Sequence, residues 1–117
     1  MQNDIYTVYH LTMDPARFQA FNALADELVP GAHEEADTLT YEFSVNAEHT
    51  RVTIIEGYRT AGLVPHVTQT FAPYARRFLD LVTIDRLYVY GQTTPEIRAI
   101  LDDFNPIYMT TFAGFTR

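Results

Sequence analysis

The chain has 117 residues, 47% of them apolar, which is enough for one compact core and too few for two. It contains no Cys, no Trp and, because all eight basic residues are Arg, no Lys, which excludes disulfides, thiolate nucleophiles, Cys-type zinc sites, Schiff-base chemistry and a P-loop lysine. A formal charge of −7 opposes nucleic-acid binding, whose affinity is built on excess positive charge.

Residues 4–11 are rich in β-branched and aromatic types and predict a strand. Asp14-Pro15 supplies an N-cap followed by proline at the first helical position, where no N–H is missed. The helix that follows carries Phe18, Phe21, Leu24, Ala25 and Leu28 on one face, and Pro30-Gly31 is expected to stop it. After the acidic loop 33–37, Leu39, Tyr41, Phe43 and Val45 alternate strictly. A turn over 46–49 leads to Val52, Ile54, Glu56 and Tyr58, which completes a hairpin. Residues 63–81 return to helical spacing, but Pro65 and Pro73 fall inside the run and predict either two short helices or one kinked one, with Pro73 opening the second piece. A last strand covers 84–90, closed by Gly91. Thr94-Pro95 starts a short helix that gives way to an aromatic tail.

The order β-α-β-β-α-β predicts an α+β, ferredoxin-like fold: four antiparallel strands with both helices on one face, in a single domain over 1–117 whose core is 4–91. Both sides of the first and last strands carry bulky residues, and two helices cannot cover both faces. The uncovered face is expected to meet a second copy in a homodimer, with the C-terminal tail (94–117) folding over it as the alternative. No apolar run approaches the roughly 20 residues of a membrane span, and Met1-Gln2-Asn3-Asp4 lacks the basic start and apolar stretch of a secretion signal, so no membrane association and a cytoplasmic location are expected.

Three stretches in order, Thr38-Leu39-Thr40-Tyr41-Glu42-Phe43, then Val52 to Arg59, then His66, resemble the antibiotic biosynthesis monooxygenase family. The resemblance continues through Arg77 to Leu81, Arg86 to Gly91, and the tail Phe104-Asn105-Pro106-Ile107-Tyr108 with Phe112-Ala113-Gly114-Phe115. It implies a dimeric α/β barrel, in which two ferredoxin-like sheets face each other. It also implies a small aromatic substrate, a quinol or polyphenol, oxidised by O2 with no metal or flavin. Relatives that bind and degrade haem, and a non-catalytic small-molecule-binding module of the same fold, are the alternatives. In the haem-degrading and polyketide-oxidising relatives a tryptophan commonly ends the third strand, where this chain has Tyr58.

His66 is the candidate catalytic residue: a neutral imidazole takes a proton from a bound phenol, whereas a partly buried structural histidine is the bland reading. Glu56 and Tyr58 share one face of a strand. Glu56 would pair with Arg86 structurally or, with Arg86, orient substrate. Tyr41, Tyr58 and Tyr74 would supply hydroxyls to an otherwise apolar pocket. His10, His33 and His49 offer no metal-ligand spacing and read as surface or edge residues. Five glycines form no phosphate loop, so neither metal nor nucleotide cofactor is expected, and Ser44, the only serine, lacks a nucleophile-elbow context, which argues against serine-hydrolase chemistry.

Overall fold

The computed structural model describes residues 4–117. Met1 to Asn3, on which part of the secretion-signal expectation rests, lie outside the described residues. Five strands form one sheet in the order β2-β3-β1-β4-β5, with β1 at Asp4–Met13, β2 at Thr38–Val45, β3 at Arg51–Arg59, β4 at Val82–Tyr90 and β5 at Ile107–Met109. The ladders β2·β3, β3·β1 and β1·β4 are antiparallel, the ferredoxin-like order. The expected four-stranded sheet is corrected by β5, which adds to the β4 edge in parallel, Tyr88 facing Ile107 and Tyr90 facing Met109. Asn105 makes this possible by taking a left-handed conformation (φ 54°) that turns the chain back towards β4.

The strand period places Ile5, Thr7, Tyr9, Leu11 and Met13 of β1 on the helix-covered face, with Val52, Ile54, Glu56 and Tyr58 of β3 beside them. Against these pack Phe21, Leu24 and Leu28 of α1 (Phe18–His33). Asp14 caps the entry as expected, its carboxylate accepting from the Ala16 N–H at 2.9 Å, but the first turn, Pro15–Arg17, is a 3-10 turn. The helix does not stop at Pro30-Gly31. It runs to His33 because Ala32 is fully buried and the bare Gly31 lets the neighbouring Thr70 come close, so packing outweighs the one lost backbone bond.

The second helical segment is continuous in path but changes pitch. A short turn α2 (Leu63–Pro65) passes into a π-helical stretch, His66–Phe71. A 3-10 turn at Ala72–Tyr74 follows, with Pro73 at its start, and α3 (Ala75–Leu81) completes the segment. The two prolines sit at the boundaries of these pieces, as their missing donors require. α4 (Pro95–Leu101) is capped by Thr94, whose hydroxyl accepts from the Ile97 N–H. Among the described residues no helix is long and apolar enough to cross a membrane.

The opposite sheet face presents Tyr6, Val8 and His10 of β1, Ile55 of β3 and Tyr88 and Tyr90 of β4. His10 is therefore in mid-strand, edge-on to Tyr88 at 5.7 Å, and not at a strand end. The tail borders Tyr6 and Tyr90 without covering the face: Phe112 is 99% and Phe115 80% exposed.

Candidate active site

Between the sheet and the second helical segment lies a narrow cleft lined by Tyr9, Tyr41, Glu56 and His66 among apolar side chains that include Phe71 and Phe104. Its interior void is about 20 Å³, room for about one water molecule. His66 is brought there by the change from α to π winding at Pro65, and single π turns are frequent at functional sites. The side chain is 2% exposed. Its Nδ1 lies 2.9 Å from Glu35 Oε1. Glu35 also accepts from the Thr38 hydroxyl at 2.7 Å and from the Thr70 hydroxyl. A carboxylate already holding two hydroxyl donors is an acceptor only, so Nδ1 carries the proton and donates it to Glu35. In the neutral ring Nε2 then holds the lone pair. It has no protein partner among the described residues, and since no buried side-chain nitrogen or oxygen is left unpaired, it is open to the cleft. The rings of Tyr41 and Tyr58 stand 5.0 and 5.5 Å from the imidazole and fix its plane.

Glu56 is the second polar group. It is buried at the centre of β3, where Thr7 faces it across the β1 ladder and Tyr41 across the β2 ladder. The Thr7 hydroxyl donates to Glu56 Oε1 at 3.3 Å, and the Tyr58 hydroxyl donates to the same oxygen. Burial pushes the Glu56 carboxyl above the usual glutamate range, against the opposing pull of His66 and of the two hydroxyl donors. Burial and the neighbouring Glu56 likewise raise the phenols of Tyr9, Tyr41 and Tyr58, which are held as neutral O–H groups.

The sequence-derived candidates divide. His66, Glu56 and Tyr41 line the cleft, and Tyr58 supports it from behind through Glu56. Arg86 does not belong with them. β3 and β4 flank β1 on opposite sides, and Arg86 pairs with His10 and is exposed, so the expected Glu56–Arg86 ion pair is absent. Tyr74 is half-buried beside the core and does not line the cleft. Glu35, Thr7, Thr38 and Thr70 were missed. Glu35 reads as one of several acidic loop residues, and nothing local marks the one that meets a histidine 31 positions away. Among the described residues no three of His, Asp or Glu cluster as a metal site. The resting void of about 20 Å³ holds neither a haem nor a smaller aromatic ring, so either would need the cleft to widen.

No family model matches the sequence, and no curated protein does. The fold, however, has close counterparts. MupZ from Pseudomonas fluorescens superposes with a TM-score of 0.88 at 22% identity, covering 99% of this chain and 96% of that one. A protein from Bacteroides thetaiotaomicron named as a proposed antibiotic biosynthesis monooxygenase superposes with a TM-score of 0.62 at 27% identity, covering 80% and 90% of the two chains. The chain has the antibiotic biosynthesis monooxygenase fold. A proposed antibiotic biosynthesis monooxygenase from Nitrosomonas europaea agrees, with a TM-score of 0.67 at 15% identity, covering 81% of this chain and 95% of that one. Of the three, MupZ matches almost the full length of this chain, whereas the other two cover about four fifths of it.

Proposed function

We propose that this protein is a cytoplasmic, cofactor-independent monooxygenase that deprotonates a quinol or polyphenol at His66 and lets the resulting anion react with O2. The observation that carries the reading is the Glu35–His66 pair, which turns a free Nε2 lone pair into an apolar cleft. An electron-rich phenolate reduces O2 by itself, so the protein need supply only a base, orientation and exclusion of water. The reaction balances as quinol plus O2 giving hydroxyquinone plus water, with the substrate providing all the electrons. Some of the lining side chains must move to admit a ring, because the resting void holds about one water.

A second reading has its own support. Glu56, buried and without a cation, sits in the same cleft as the base, and such a pair also performs redox-neutral proton transfer, one group giving a proton as the other takes one. Oxygen uptake with a panel of hydroquinones and polyphenols separates the two. Consumption of O2 in step with product supports monooxygenation, whereas turnover without O2 consumption rejects it in favour of the second reading.

The assembly we propose is a homodimer through the open sheet face, where Ile55 and Tyr90 are 41% and 38% exposed and the aromatic tail stands free.

A further inference from the structure

The two oxygens of Glu56 are not equivalent. Oε1 accepts from both Thr7 and Tyr58, while no protein donor reaches Oε2 among the described residues. Because no buried side-chain nitrogen or oxygen among the described residues is left without a partner, Oε2 is open to the cleft that Glu56 lines. A carboxyl group whose one oxygen accepts two hydrogen bonds carries any proton on the other. Burial favours that proton, against the two hydroxyl donors on Oε1 and the nearby His66. The groups facing Glu56 are Thr7 and Tyr9 from β1, Tyr41 from β2, Tyr58 on its own strand and His66 from the helical segment, with Glu35 behind the histidine. None is a permanent cation. Every ion pair among the described residues lies elsewhere or belongs to His66 and Glu35, which has its own hold on the imidazole.

We propose that Glu56 is a neutral carboxylic acid whose Oε2–H donates a hydrogen bond into the cleft, so that the substrate is a molecule with two oxygens, an acidic hydroxyl for His66 and an acceptor oxygen for Glu56. A hydroquinone or a hydroxylated ketone presents such a pair, and a simple phenol does not. The inference rests on the reading of the cleft as a proton-transfer site, and it deepens that reading by assigning the second pole. It explains why a carboxyl group occupies the buried middle of β3, where its burial would otherwise only cost stability.

Infrared difference spectroscopy on the ligand-free protein at neutral pH reads the carboxyl directly, without reference to any activity. The C=O stretch of a protonated carboxylic acid is expected in the wild type and absent from Glu56→Gln, which preserves shape. A spectrum with only carboxylate bands at that position overturns the proposal. Calorimetric titration under argon with 1,4-dihydroxynaphthalene and 1-naphthol then tests the substrate class. The wild type is expected to bind the diol about tenfold more tightly, the worth of one hydrogen bond of about 1.4 kcal/mol. Glu56→Leu is expected to bind the two alike, and Glu56→Gln, which keeps an N–H donor, to retain a preference. Equal affinities in the wild type reject the assignment. Failure of O2 uptake would remove monooxygenation while leaving the infrared band in place, so the two readings fail separately.

Discussion

The two faces of the sheet are built from the same strands and similar residues, yet they differ in kind. On the helix side β1 offers Ile5, Thr7, Tyr9 and Leu11, all buried; on the other it offers Tyr6, Val8, His10 and Thr12, exposed or half-buried. Tyrosines stand on both. Those on the helix side, Tyr9 and Tyr58, share low-dielectric surroundings with a buried carboxyl and are driven far from their ordinary ionisation, chiefly by burial. The open-face rings of Tyr88 and Tyr90 stack on each other 6.3 Å apart at the surface. Cover, more than residue type, decides which tyrosines are held as neutral O–H groups in a buried cleft and which lie at the surface.

Neighbouring residues on β3 give the largest contrast. Ile54 is 2% exposed on the helix side and Ile55 41% exposed on the other. Ile54→Glu is expected to cost more than about 4 kcal/mol, by deleting core packing and burying an unpaired carboxylate. Ile55→Glu is expected to change monomer stability by no more than about 0.5 kcal/mol. If the open face is the dimer contact, sedimentation will show Ile55→Glu as a monomer where the wild type is a dimer. Equal denaturation midpoints for the two variants would erase the distinction between the faces.

Within the cleft, His66→Ala is expected to lower kcat for quinol oxidation by roughly 10²–10⁴-fold, the usual worth of a positioned general base. Circular dichroism should show the fold retained. An unchanged rate takes His66 out of the mechanism.

A smaller effect concerns pH. The folded-state pKa of Glu56 lies above the ordinary glutamate value of 4.5, so the folded form holds the proton more tightly than the unfolded chain. The associated stability is fully present below pH 4.5 and is lost as pH rises through the folded pKa, at up to about 1.4 kcal/mol per pH unit. Urea titrations across that range should show the wild type losing ground to Glu56→Gln as pH rises. Parallel pH profiles would mean that Glu56 ionises as readily folded as unfolded.

Much of the fold was legible because it is written in local periods. The alternation of β3 and the three-and-four spacing of α1 fix which side chains face inwards, and Asp14 and Thr94 act as the caps their positions imply; on β2 the alternation holds only for Tyr41 and Phe43, while Leu39 and Val45 at its ends are 41% and 39% exposed. Pro30 misled, because a lost hydrogen bond is visible in sequence and the packing of Ala32 that offsets it is not. β5 escaped for a similar reason: three residues after an unusual Asn105 conformation carry no period. The site was half legible. His66, Glu56, Tyr41 and Tyr58 announce themselves as polar groups in apolar settings. Arg86 looked like their partner by residue type alone, although the ferredoxin-like order already places β1 between its strand and that of Glu56. Glu35 and its threonines come from a loop, a strand and a π turn, and only the folded chain assembles them around Nδ1.

The central claim is that Glu35 presents His66 Nε2 to the cleft as a base. Nitrogen NMR of the labelled imidazole measures this directly. The predicted result is a neutral ring protonated at Nδ1 with a free lone pair on Nε2 in the wild type, and loss of that single tautomer in Glu35→Leu, which removes the acceptor. A ring protonated at Nε2 in the wild type, or an unchanged tautomer in Glu35→Leu, would contradict it.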